Sequence, residues 1–211
     1  MNIKHILWDW NGTLIDDVDL CVQSVNTLLS RRDKKLIDRQ FYRQHFTFPV
    51  IDFYRLCDFD FDDELFSEIS HEWITEYQNG YREQSRLQAE THATLKSFGG
   101  YTQSILSACE EGLLNESIEH FELRDYFGKI HGTNNIEAHG KVDLAKNMLH
   151  QKHFLPEESV LIGDTIHDFE VAEAVGMKCI LVSHGHQYKD RLKAAGVPVI
   201  QDFSEIAKHI N

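Results

Sequence analysis

Residues 3–14 read Ile-Lys-His-Ile-Leu-Trp-Asp-Trp-Asn-Gly-Thr-Leu, and this stretch decides the architecture. Ile3 to Trp8 is a short apolar run of strand formers that stops at Asp9, and Asn11-Gly12-Thr13 are turn residues. The pattern predicts a buried strand that delivers an acid to its C-terminal end. From Val18 the spacing turns helical, with Val18, Cys21, Val22, Val25, Leu28 and Leu29 on one stripe and Asp16 or Asp17 available as N-cap. A strand feeding a helix in this way opens an α/β fold.

The same rhythm returns further along the chain. Ser104 to Leu106, Lys129 to His131, Val160 to Gly163, Cys179 to Val182 and Val199-Ile200 read as short strands. Helical spacing lies between them in Thr91, Leu95 and Phe98, in Leu114 and Ile118, in Val142, Ala145 and Leu149, in Val171 and Val175, and in Leu192 to Ala195. A last helix, Phe203 to Ile210, begins at Asp202 and Glu205, which have capping-box spacing. The order predicts a Rossmann-like parallel sheet with helices on both faces.

Residues 16 to about 86 interrupt it. Six basic residues fall within 31–43, whereas 52–76 holds nine acids against Arg55 alone, so charge is segregated along the segment. Aromatic residues crowd it, and Phe66, Ile69, Trp73 and Tyr77 keep helical spacing up to Gly80. We read 16–86 as an all-helical insert after the first strand, leaving 1–15 and 87–211 as the α/β core. Within it, Lys34 and Lys35 read as part of a basic, solvated helix, and Phe46-Thr47-Phe48-Pro49 as a loop facing the substrate.

Composition narrows the function classes. The 211 residues carry 21 Lys and Arg against 34 Asp and Glu, a formal charge of −13, which argues against nucleic acid and anionic membrane surfaces as partners. The four cysteines are scattered without a CxxC pair and read as reduced thiols. The N-terminal apolar run is too short for a signal peptide or a membrane span, so the expected location is the cytoplasm.

In an open parallel sheet the ligand sits beyond the carboxyl ends of the strands. The polar residues there are Asp9 and Asn11, then Ser107, then Gly163-Asp164-Thr165-Ile166-His167-Asp168, with Lys141 at a helix start. Singly, each has a bland reading as a turn former, a cap or a solvated side chain. Together they compose a phosphoryl-transfer site. Asp9 can attack phosphorus, Asp164 can help hold Mg²⁺, and Lys141 and Ser107 can neutralise and hydrogen-bond phosphoryl oxygens. Backbone N–H groups around Gly12 are further candidate donors. His184-Gly185-His186 reads as a loop contact rather than a metal pair.

These motifs, in this order, resemble the haloacid dehalogenase superfamily, and the insert is similar to the helical cap of its phosphoglycolate phosphatase-like subgroup. The resemblance implies a Mg²⁺-dependent phosphatase acting on a small phosphorylated metabolite through an aspartyl phosphate. It makes Asp9 the nucleophile and assigns the metal to Asp9, the backbone carbonyl of Asn11, and Asp164, with Asp168 ligating or bracing the metal site. One residue departs from the family's phosphatase pattern. Asn11 stands where an Asp protonates the leaving group and then activates water, and an amide can do neither. Three explanations stay open: a substrate with a good leaving group; an acid supplied by His167, His184, His186, Asp16 or Asp17; or a catalytically weak protein that binds a phospholigand or accepts a phosphoryl group. The Asp164 and Asp168 pair argues against the metal-free dehalogenase branch.

Overall fold

A computed structural model of the chain describes residues 2–62, 64–134, 140–151 and 153–210. Six strands form one parallel sheet: β1 (His5–Trp8), β4 (Thr102–Glu110), β5 (Lys129–Thr133), β6 (Ser159–Gly163), β7 (Lys178–Val182) and β8 (Val199–Ile200). Their order is β5-β4-β1-β6-β7-β8. The alternation within β1 explains why both sheet faces are covered. Ile6 and Trp8 point into one apolar cluster with Leu95, Leu114 and Ile118, and Leu7 points into the other with Ala145, Met148 and Val171. The first cluster takes in α5 (Thr91–Ser97) and α6 (Glu111–His120), the second α7 (Lys141–His150) and α8 (Ile166–Val175). The short α9 (Lys189–Leu192) and α10 (Ala207–Ile210) complete the core.

Between β1 and β4 the chain leaves through β2 (Ile15–Asp16) and returns through β3 (Arg86–Leu87), which pair antiparallel as a two-residue ribbon. Among the described residues the excursion holds four helices, α1 (Val18–Arg31), α2 (Arg39–His45), α3 (Val50–Leu56) and α4 (Phe66–Gln84). They share a third apolar cluster in which Val25, Leu28 and Leu29 of the α1 stripe meet Phe53, Ile69 and Tyr77. The sheet, its two helical layers and the helical insert are the architecture that the sequence predicts.

Details differ. β4 is longer than Ser104 to Leu106, and its pairing with β5 shifts register between Leu106 and Glu110, so Ser107 lies inside the strand at the irregularity. α1 ends at Arg31 and α2 starts only at Arg39, so Lys34 and Lys35 lie in a non-helical link. Phe203 to Ile210 is a 3₁₀ turn at Phe203–Glu205 followed by α10, although the Asp202 and Glu205 capping box forms as expected. Asp17 occupies the N-cap position of α1 without a side-chain cap bond; its carboxylate is used elsewhere. The four cysteines are free.

Candidate active site

Trp8 lies level with Ile105 on one side and Ile162 on the other. The residues just past these positions, Asp9, Ser107 and Asp164, therefore emerge together at one sheet edge. Strands β4 and β6 flank β1 on opposite sides, which makes this edge the crevice where the connections diverge. Lys141, at the start of α7, reaches across to place Nζ 2.6 Å from Asp9 Oδ1 and 2.5 Å from Asp168 Oδ1. Lys141 is only 2% exposed and Asp164 is fully buried, so these charges interact with little solvent screening.

The hydrogen bonds sort the three acids. Asp168 accepts from Lys141 on one oxygen and from Thr165 Oγ1, Thr165 N and Asp164 N on the other, so its carboxylate is saturated. Thr13 Oγ1 lies 3.3 Å from Asp9 Oδ2 and 3.2 Å from Asp164 Oδ1. Asp164 Oδ2 accepts from His186 N at 2.5 Å and Asp9 Oδ1 from Lys141, so the two facing oxygens, Asp9 Oδ2 and Asp164 Oδ1, share a single hydroxyl hydrogen. Asp9, Asp164 and Asp168 each offer an oxygen within 4.8 Å of the others.

Electrostatics follow from that count. Burial pushes Asp9 up to about 8, with Asp168 and Asp164 adding to the rise against the pull of Lys141. Burial likewise raises Asp164 to about 6. Asp168 is also desolvated, but Lys141 and the Thr165 hydroxyl outweigh the penalty and hold it below its ordinary value. Lys141 resists desolvation through Asp168 and Asp9 and stays charged. Three acids facing one ammonium have the donor chemistry for a hard divalent cation such as Mg²⁺: oxygen ligands, excess negative charge and unsaturated carboxylates on Asp9 and Asp164.

Glycine permits the crowding at two points. Gly12 has φ +73°, and a Cβ there would collide with the Asp164 carboxylate and the His186 ring; one at Gly185 would also strike Asp164. Ser107 Oγ accepts from Cys109 N at 3.1 Å, and its own hydrogen has no acceptor among the described residues, so it can donate to a ligand. The Gly12 N–H, a candidate donor to the phosphoryl group, is already given to Asp17 Oδ1 at 2.9 Å.

Asp17 organises a second network. Its Oδ2 accepts from Asn11 Nδ2 and Tyr77 Oη, each at 2.8 Å, and Asn11 Nδ2 also donates to Tyr77 Oη. His186 faces Asp17 Oδ1 at 3.4 Å through Nε2 and Tyr42 Oη at 3.1 Å through Nδ1. Burial opposes charge on both partners, yet Asp17 and Asp164 raise His186 to about 9, and His186 with the Asn11 and Tyr77 donors lowers Asp17. The pair is a buried imidazolium carboxylate. Of the residues proposed as alternative acids, Asp17, His167 and His186 line the cavity above Asp9. Asp16 instead turns to Arg39, and His184 reaches the Thr13 carbonyl. His186 is more than a loop contact, because it joins the insert to the core. Thr13, Tyr42 and Tyr77 were not singled out for polar roles by their sequence pattern. Tyr77 sits on an apolar helical stripe, and only the fold turns its hydroxyl toward Asp17.

An open parallel sheet whose central strand ends in a buried acid, with a lysine and further acids converging on it, makes an acidic site at the switch point of an α/β fold. The chain belongs to the haloacid dehalogenase-like hydrolase family, which matches residues 6–182. It is 28% identical over 214 residues to the Probable phosphatase IndB of Dickeya dadantii, covering 95% of this chain and 90% of that one. It is 22% identical over 213 residues to the Phosphoglycolate phosphatase of Aliivibrio fischeri, covering 95% and 93%. A haloacid dehalogenase-like family protein of Streptococcus pneumoniae shares the fold with TM-score 0.86 at 19% identity, over 99% of each chain.

Proposed function

We propose that this hydrolase is a Mg²⁺-dependent phosphatase of small phosphorylated compounds, working through an aspartyl phosphate on Asp9. The observation that carries the reading is the Asp9 carboxylate at the end of the central strand, with one oxygen on Lys141 and the other facing Asp164 across the single Thr13 hydroxyl. The phosphatase names of the two relatives support it.

Asp9 attacks phosphorus; the bond to the leaving oxygen breaks with its electron pair on that oxygen, and water then hydrolyses the acyl phosphate to restore Asp9. Lys141 neutralises phosphoryl charge while Asp168 fixes its ammonium, and Ser107 donates to a phosphoryl oxygen. Asp9, the Asn11 carbonyl and Asp164 would hold the metal. The saturated carboxylate of Asp168 suits it to bracing, although the sequence reading also counted it as a ligand. When bound, the divalent ion offsets the excess negative charge, keeps Asp9 ionised and lets an anionic phosphate approach.

We place the core at 1–15 and 87–211 and a cap at 16–86 that closes over the site to exclude water. An apolar cluster drawn mainly from the insert, with Leu113 of α6 joining it, and the two-residue ribbon support this division. Phosphate release from a panel of monoesters and acyl phosphates, with and without Mg²⁺, tests the reading. Turnover is expected only with Mg²⁺ and is lost in Asp9→Asn. Full activity in excess chelator would remove the metal from the account.

A further inference from the structure

The cavity above Asp9 contains ≈ 1020 Å³ of space, part of it open to solvent. Its floor is polar and its walls are not. The insert supplies the walls through Tyr42, Phe46, Phe48, Phe53, Trp73 and Tyr77. Phe46, Phe48 and Trp73 are only half-buried, so large aromatic side chains keep apolar surface that a ligand can cover.

Charge in the cavity excludes a second anionic group on the ligand. Lys141 is the single Lys or Arg among the described lining residues, and it already answers Asp9 and Asp168. His186 is paired with Asp17, and His167 stacks on Phe48 with its Nδ1 facing Glu170 at 3.2 Å. Glu110 also lines the cavity and adds no cation to it, its carboxylate capping α6 through Gly112 N and Leu113 N. The basic residues of 31–43 do not compensate. Arg31 and Arg32 turn to Glu64, Glu72 and Glu76, Arg39 pairs with Asp19, and Arg43 donates to the carbonyls of Ser183 and Gln187.

The reacting end points the same way. Asn11 offers no acidic proton, and its amide is already spent on Asp17 and Tyr77. Tyr77 Oη already donates to Asp17, and the two ring nitrogens of His186 face Asp17 Oδ1 and Tyr42 Oη, so these groups are engaged with one another rather than aimed at a leaving oxygen. A phenol ionises near about pH 10, so a phenoxide departs far more easily than an alkoxide.

We infer that the site takes phosphate monoesters of small aromatic hydroxyl compounds, the ring lying against the Phe46, Phe48 and Trp73 wall with no second charged group. The inference rests on the phosphatase reading. Asp9 oxygen bonds to phosphorus, the phosphorus to aryl-oxygen bond breaks, the electron pair leaves as phenoxide, and the phenoxide takes a proton from water. Water then cleaves the acyl phosphate.

The test compares 1-naphthyl phosphate, hexyl phosphate, 2-phosphoglycolate and acetyl phosphate in Mg²⁺ buffer. The expected kcat/KM for 1-naphthyl phosphate exceeds that for phosphoglycolate by about 100-fold, the combined effect of ring contacts and of a carboxylate left without a free cation. Phe48→Ala and Trp73→Leu, which stays apolar but removes the aromatic ring, are each expected to lower the naphthyl-to-acetyl selectivity about 10-fold. Phosphoglycolate turned over as well as the naphthyl ester, or equal losses on both substrates in the variants, would overturn the inference. Calorimetric binding of 1-naphthyl phosphate and phosphoglycolate separates the two levels of the account. Tighter naphthyl binding without turnover of any ester or of acetyl phosphate would sink the phosphatase reading and leave the ligand class standing. Equal binding would sink the ligand class.

Discussion

Asn11 stands where a proton would be moved, and its neighbours show what replacing it would do. Its Nδ2 lies 2.8 Å from Asp17 Oδ2, so Asn11→Asp sets two carboxylates side by side, and one of them keeps a proton. That proton is available to a leaving group. Turnover of hexyl phosphate is expected to rise by about 10²-fold, within the usual range for general acid catalysis, while 1-naphthyl phosphate changes little in the first step. With Asn11 in place, hydrolysis of the acyl phosphate lacks a base, so rapid mixing should show a burst of naphthol that Asn11→Asp removes. Because Asn-Gly pairs deamidate, peptide mass mapping accompanies the kinetics. The charge imbalance around Asp9 makes a separate prediction. Mg²⁺ binding to the folded chain should raise Tm, by an amount equivalent to about 2.7 kcal/mol at a hundredfold excess over Kd. Asp164→Asn should flatten that response in a calorimetric titration; an unchanged response would place the ion elsewhere. Asp9, Lys141 and Asp164 were legible because each follows a strand or opens a helix. The distinction between saturated Asp168 and under-partnered Asp164 was not, because it depends on which N–H and O–H groups converge in space.

The insert is tied to the core at more than its ribbon. Arg191 Nη1 donates to the Phe46 carbonyl at 2.8 Å, Gln187 Nε2 donates to the same oxygen at 3.0 Å, and Arg43 stacks over the Tyr188 ring at 4.4 Å. These contacts hold the segment from α2 to α3 against α9 and the loop that joins it to β7, beside the Tyr42 and His186 contact. Arg191→Ala is expected to speed hydrogen exchange of the amides at 42–48 and raise KM for the naphthyl ester several-fold. It should cost about 1 kcal/mol or less of global stability, because the lost bonds join two elements without entering an apolar cluster. Unchanged exchange at 42–48 would mean that the contacts do not restrain the insert. Two of the helices were legible: the α1 stripe follows the buried face of α1, and Ile69 and Tyr77 lie on that of α4 with Phe66 and Trp73 half-buried beside them. The inter-element contacts were not. Arg43 and Arg191 look like solvated basic residues in sequence, and their acceptors are backbone carbonyls that carry no residue signature.

At the scale of the whole molecule, the sheet sets both stability and reactivity. Burial beside Ser104, with Lys129 and His131 nearby, lowers His5 to about 4, and burial beside His153 and Lys129 lowers His131 to about 4. Folding therefore favours the neutral rings. Their contribution is complete above the unfolded value near 6.5 and is lost as pH falls from there toward 4. Tm should decline across that window, and His131→Phe should make the decline shallower; an equal slope would assign the loss to other groups. Strand order was only partly legible: alternation indicated parallel strands, but the placement of β4 and β6 on opposite sides of β1 comes from how the crossovers pack. That placement gives Asp9 its position, and Asp9 is the central claim. Acid-quenched protein from a single turnover with 1-naphthyl phosphate and Mg²⁺, examined by intact mass and then by borohydride reduction and peptide mapping, tests it most directly. The account predicts one phosphoryl group per chain, mapped to Asp9 and absent in Asp9→Asn. A phosphoryl group on Ser107, or undiminished turnover in Asp9→Asn, would contradict it.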